Sequence, residues 1–133
     1  MAELDETQAE FLDNPFVGIV TTLREDGSPH STVVWVDRED GEVSFNTARG
    51  RAKPRHLERD PRVSLLVLDP NNPYKWVAVS GKAELTDDGA DAQIDRLAKK
   101  YLGKDEYPWR NPQEQRVKVR IRPEKIDSTG FDE

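Results

Sequence analysis

Six basic side chains, Arg49, Arg51, Lys53, Arg55, Arg59 and Arg62, crowd into one short segment of a chain whose formal net charge is −6. Only Glu58 and Asp60 oppose them there. Lys53-Pro54 marks a helix start, because proline is accommodated in a first turn and disfavoured deeper in a helix. A short helix near Pro54 to Arg59, entered at Lys53, is therefore expected. Helix starts present unpaired backbone N–H groups and the positive end of the dipole. Arg51 and Lys53 stand just before that start, and Arg55 lies in the first turn, where a cation opposes the dipole. A forked guanidinium, a point-charge ammonium and backbone amides together have the chemistry of a phosphate cradle. Gly50 lets the backbone bend closely toward a ligand. The rival reading is a strand-to-strand crossover whose charges are only solvated. Spacing alone leaves both open.

Other chemistry is sparse. Asn46 and Thr47 end the stretch before the basic segment, where their side chains either reach a ligand or satisfy local backbone. An imidazole side chain at His30 invites an acid–base role, but a lone histidine after a turn is more simply exposed. His56 sits within the basic helix. There are two histidines and no cysteine, which excludes disulfides and thiolate metal sites and leaves no metal-ligand set. No nucleophile–base arrangement, dinucleotide fingerprint or Walker motif is present, so no catalytic side chain is assigned.

The elements that must position these residues are mostly strands. Hydrophobic and charged residues each make up 35% of the 133-residue chain, with the apolar residues gathered in runs, as in one folded domain spanning 1–133. No run approaches the ~18 residues of a membrane span, and MAELDETQAE carries no apolar signal core. A cytoplasmic protein is expected, and the acidic balance disfavours nucleic acid as a partner. A short helix is read at 4–14. Strands are read at 16–23, 30–37 and 42–47, joined by Asp26-Gly27 and Asp40-Gly41 turns into a meander. Further strands follow at 62–69, 75–86, with a bend at Gly81, and 115–128. One substantial helix, 87–104, carries the apolar stripe Ile94, Leu97, Ala98, Tyr101 and Leu102. The expectation is a mainly β (α+β) fold: six antiparallel strands in a small, nearly closed barrel with flanking helices.

Four stretches, VGIVTTLREDGSPHSTVVWV, VSFNTARGRAKPRHLERDPRVSLLV, WVAVSGKAEL and the closing strand, give the chain a resemblance to the pyridoxamine 5′-phosphate oxidase-like family. Its fold is the FMN-binding split β-barrel. RAKPRHLERDPRVSLLV is the most specific part and resembles the family's R-x-K-x-x-N-L-x-x-D-P-R-V segment, with His56 standing where asparagine is common. The R-x-K form and the short chain, which stops at IDSTGFDE without the oxidases' longer C-terminal extension, most resemble the branch that uses the deazaflavin coenzyme F420. FMN is the alternative cofactor. The resemblance implies hydride transfer between the deazaflavin and a conjugated small-molecule acceptor, in a groove shared by the two barrels of a homodimer. A carrier or sensor without turnover is the rival. Within that frame Arg51, Lys53 and then Arg55 meet the cofactor phosphate. Asn46 and Thr47 reach the ribityl hydroxyls or the phosphate, and His30, Ser31 and Thr32 run beside the ring. Tyr74 and Trp76 reach the groove from the partner subunit. Trp35 reads as packing, and Trp109 as a lid, a dimer contact or packing over the barrel end.

Overall fold

Both Asp-Gly turns form where the sequence places them, with Gly27 at φ 87° and Asp40-Gly41 at 52° and 79°, the left-handed conformations that tight hairpins require. The structure is a computed structural model and describes residues 2–131. Its elements run α1 (Glu6–Leu12), β1 (Gly18–Leu23), β2 (Pro29–Val34), β3 (Asp37–Glu39), β4 (Glu42–Ala48), α2 (Ala52–Arg59), β5 (Arg62–Asp69), β6 (Asn72–Thr86), α3 (Ala90–Leu102) and β7 (Arg116–Thr129). The strands make one antiparallel sheet in the order β2-β1-β5-β6-β7-β4-β3.

Two details correct the sequence reading. Among the described residues there are seven strands rather than six, because the stretch read as one strand at 30–37 breaks at Trp35-Val36. There is also no three-strand meander: β4 pairs with β3 and β7, not with β2. The cause lies in α3. The Val36 N–H donates to the Tyr101 hydroxyl at 2.9 Å, and the Val36 carbonyl accepts from Lys100 Nζ at 2.7 Å. Trp35 stacks on Tyr101 with ring centroids 5.4 Å apart. The backbone at Val36 is thus satisfied by helix side chains instead of a neighbouring strand. Burial pushes the Tyr101 pKa up to about 12, which keeps its proton in place to donate to the Phe16 carbonyl at 2.7 Å. β2 and β3, the two edges of the sheet, are joined through this break, so the barrel is closed by chain rather than by a ladder.

Alternation sets the two faces of the sheet. Val20, Phe45, Leu65, Val67, Val77, Val119 and Ile121 point inward and are almost fully buried. Phe11 and Leu12 of α1 and Leu57 of α2 join the same core. In α3, Ile94, Leu97 and Ala98 are buried, as the stripe predicts. The long β6–β7 ladder shifts register at Ser80/Gly81. A Cβ at Gly81 would stand 1.9 Å from the Arg122 carbonyl oxygen, so only glycine fits that bulge. The outer face carries an apolar row, Val33-Ile19-Leu66-Ala78, paired strand to strand, with Val33 64% exposed.

Candidate functional site

α2 begins as the Lys53-Pro54 signal requires. Arg51 is its N-cap, extended at φ −84° and ψ 170°, and no side chain caps the helix start. Gly50 precedes it at φ 89°, where a β-carbon would be strained, and leaves open space beside the backbone. The start faces a cleft of about 220 Å³. One wall is Val33, Val34 and Trp35 at the end of β2; another is Asn46 and Thr47 of β4 with Arg116 of β7. Arg51 and Lys53 line the α2 side, Ile94 and Leu97 the floor from α3, and Tyr107 and Trp109 the rim from the loop after it.

Three cations converge on this cleft. Arg51 pairs with Glu114. Arg116 is buried, donates to Glu114 at 3.0 Å and to Asn46 Oδ1 and the Tyr107 hydroxyl at 3.3 Å each, and lies over the Tyr107 ring. Lys53 is half-buried, and its Nζ donates to Thr32 Oγ1 at 3.2 Å. Among the described residues no carboxylate comes within ion-pair range of Lys53, and its pKa is lowered, first by burial and then by Arg51. Thr47 is 1% exposed, and its Oγ1 has no hydrogen-bond partner. A buried hydroxyl without a partner costs about 1–3 kcal/mol. Placed beside three cations and a helix start, it matches an anionic ligand with oxygens to share. The residues present therefore fit a phosphate-bearing group.

The sequence-predicted residues divide clearly. Arg51, Lys53, Asn46, Thr47 and Thr32 come together at or beside the cleft. Asn46 is already engaged: its Nδ2 donates to the Ala90 carbonyl at 2.8 Å and to Gln93 Oε1 at 3.0 Å, so its role is to hold α3 against β4. Arg55 is exposed and does not line the cleft. His30 faces the same way as Thr32, one alternation along β2, and meets His56 edge-on at 5.1 Å. Its Nδ1 is buried without a partner. His56 shares a 2.8 Å hydrogen bond with Thr22 Oγ1. Burial, then His30 and three nearby arginines, lower its pKa.

Ser31 points to the opposite face, bonded to Thr21 Oγ1 at 2.9 Å. Tyr74, 78% exposed, and Trp76 also stand on the outer side of the sheet, Trp76 beside Leu66 and Leu68. Neither touches the cleft of its own chain. Sequence reasoning missed Arg116, Tyr107 and Glu114. Arg116 was hidden in the alternating VKVRIR strand, where its cationic neighbours Lys118 and Arg120 serve ion pairs with Glu39 and Glu42.

The chain is similar to known proteins in sequence and in fold. The family model described as pyridoxamine 5′-phosphate oxidase matches residues 4–130. A pyridoxine/pyridoxamine 5′-phosphate oxidase from Citrobacter koseri is 35% identical over 80 residues, which are 55% of this chain and 34% of that enzyme. The chain thus matches about a third of the length of that oxidase. Among solved structures, an F420 reductase is 28% identical at a TM-score of 0.79, covering 93% of this chain and 98% of its own. A conserved hypothetical protein from Mycobacterium tuberculosis is 27% identical at a TM-score of 0.75, covering 95% and 84%.

Proposed function

The chain belongs to the pyridoxamine 5′-phosphate oxidase family, and on that premise we propose that it is an F420-dependent reductase acting on a conjugated small-molecule acceptor. The observation that carries the reading is the convergence of Arg51, Lys53 and Arg116 with the unpartnered Thr47 hydroxyl at the start of α2. The 28% identity to an F420 reductase over 98% of that protein favours the deazaflavin over FMN, which has the same need for a phosphate site. When bound, the reduced deazaflavin supplies the hydride.

The chain's own residues hold and shield. Arg51 offers a fork, Lys53 a point charge and Thr47 a hydroxyl to phosphate oxygens. Val33, Trp35, Tyr107 and Trp109 give the rest of the cleft an apolar and aromatic wall, suited to a planar ring. Orientation and exclusion of water are then the protein's contribution to rate. Among the described residues no group of three or more metal-ligating side chains is clustered.

The same proposal makes the active species a homodimer. Val33 both lines the cleft and heads the outer-face row Val33-Ile19-Leu66-Ala78, whose Val33 and Ile19 are exposed, so a second copy laid on that sheet face covers the row and walls the cleft. Tyr74 and Trp76, remote from the cleft of their own chain, then belong to the partner's groove.

F420 and FMN titrated side by side into the purified protein test the cofactor. Tighter binding of F420, followed by oxidation of reduced F420 when acceptors are added, is expected. Tighter FMN binding transfers the reading to a flavin enzyme. F420 binding without turnover on any acceptor reduces it to a carrier. Light scattering that finds only monomer, with cofactor bound at full affinity, overturns the dimer.

A further inference from the structure

We infer that Glu114 is a built-in counter-ion that an incoming phosphate must displace, so that this one carboxylate sets the affinity of the cleft for anions. The inference rests on the anion-binding reading above and adds a residue to which that reading gives no part. Glu114 lies in the loop after α3, two residues before β7. It bonds two of the three cleft cations, Arg51 through Oε2 and Arg116 through Oε1. Burial raises its pKa, but Arg51 and Arg116 outweigh burial and hold the carboxyl below its ordinary value, so it is ionised at neutral pH. Its two oxygens therefore already occupy donors that a phosphate needs.

Several features make this pairing exchangeable. The Arg51 side chain is 51% exposed, so its hold on Glu114 is weak by the measure of solvent-screened pairs. Arg51 is also free of any duty at the helix start, since no side chain caps α2. The Glu114 backbone is fixed separately: its N–H donates to the Asn111 carbonyl at 2.9 Å, and the neighbouring Gln115 carbonyl accepts from the Arg49 N–H at 2.9 Å. The side chain can swing out to solvent without unfolding the loop. Arg116 keeps Asn46 and Tyr107 as partners when Glu114 leaves. Lys53, by contrast, has Thr32 and, among the described residues, no carboxylate. The cleft thus keeps one cation open for first contact and two under a carboxylate that yields. A ligand with two or more acceptor oxygens on one centre can replace Glu114 on Arg51 while bonding Lys53. A neutral or singly accepting ligand cannot, so Glu114 screens out weak anions as well as lowering affinity for strong ones.

Calorimetric titration of inorganic phosphate, FMN and F420 into the parent, Glu114→Gln and Lys53→Ala proteins tests the inference, with thermal melts to check folding. Glu114→Gln keeps the size of the side chain, removes its charge and leaves one acceptor oxygen where the carboxylate has two. It is expected to tighten binding of all three probes by about two- to fivefold, the worth of the solvent-screened pair with Arg51 that need no longer be broken. It is also expected to bring chloride, a weak competitor in the parent, into measurable competition. Glu114→Asp, which withdraws the carboxylate by one methylene, should fall between. If Glu114→Gln binds as the parent does, or more weakly, while Lys53→Ala loses affinity, the cleft is the anion site and Glu114 is no competitor. If Lys53→Ala binds every probe like the parent, the anion-binding reading itself fails and the inference falls with it.

Discussion

Lys53→Ala is the perturbation that most directly probes the cradle. Its ammonium is half-buried, held among the described residues only by Thr32 Oγ1 at 3.2 Å, and faced by Arg51. In the free protein this is an unfavourable position for a charge. A phosphate oxygen in the cleft would give the ammonium the anionic partner it lacks. A hydrogen bond to a charged group contributes about 1.5–3 kcal/mol, so loss of the lysine should weaken F420 or FMN binding by about ten- to a hundredfold. The fold should not suffer. Removal of a partly desolvated, unpaired charge should leave the melting temperature unchanged or slightly raised.

Proton linkage gives an independent readout. Because the folded state lowers the Lys53 pKa from 10.5, free folded protein holds fewer protons than unfolded chain between that lowered value and 10.5. This group therefore adds stability as pH rises through that window. A bound anion acts in the opposite sense, since it favours the charged ammonium. Affinity should consequently fall as pH climbs through the lowered Lys53 range, and that fall should vanish in Lys53→Ala. Dissociation constants measured at fixed ionic strength across alkaline pH check both. A variant with parental affinity and the parental pH profile would falsify the cradle.

The other perturbations separate the site from the scaffold. Arg51→Lys should weaken cofactor binding by about 1 kcal/mol, because a point charge cannot reproduce a forked contact; titration beside the parent measures it. Arg59→Ala should leave affinity unchanged, yet lower stability by about 0.5–1 kcal/mol in urea melts, since Arg59 ties the end of α2 to the Leu23 carbonyl at 2.7 Å. Gly81→Ala drives a methyl into the Arg122 carbonyl and should cost more than about 3 kcal/mol, or leave no folded protein to melt. The lowered His56 pKa means that the fold resists protonation of this ring. Its contribution to stability is present above 6.5 and lost as pH falls through the folded value. In His56→Asn, which can still bond Thr22, the loss of stability in urea melts between about pH 7 and pH 5 should shrink.

Much of the fold was legible because it follows from local rules. The Asp-Gly dipeptides fixed two hairpin turns, Pro54 fixed the start of α2, Gly81 fixed a bulge, and the 3.6-residue stripe fixed α3. The break at Trp35-Val36 was not legible. Local propensity at VVWVD favours a continuous strand, and the partners that end it, Lys100 and Tyr101, lie more than sixty residues away. The site divides in the same way. Arg51 and Lys53 were readable because Pro54 and Gly50 mark a helix start beside them. Glu114, Arg116 and Tyr107 were not, because nothing local distinguishes a cleft-facing arginine on an alternating strand from its neighbours in surface ion pairs. Asn46 is divided: a polar side chain at a strand end was read toward a ligand, and it lines the cleft while its amide nitrogen bonds α3.

The break in the sheet and the cleft are one feature. Were β2 to continue through Trp35 and Val36, it would run on into β3, and the Val36 backbone would need its partners from a neighbouring strand. Instead Tyr101 and Lys100 take over the hydrogen bonds of Val36, and Trp35 turns from the sheet to stack on Tyr101 and meet the edge of Tyr107. That places aromatic rings beside the cations of α2 and β7. The cleft is therefore lined both by cations, Arg51, Lys53 and Arg116, and by aromatic rings, Trp35, Tyr107 and Trp109, which meet where Arg116 lies over Tyr107. A ligand that satisfies both must carry an anionic group and a flat apolar body. That arrangement comes from α3, which breaks the barrel with Tyr101 and floors the cleft with Ile94 and Leu97. Stability of α3 and occupancy of the cleft are thus coupled through one helix, and a ligand that fills the cleft should protect the backbone amides of α3 from hydrogen exchange as well as those at the start of α2.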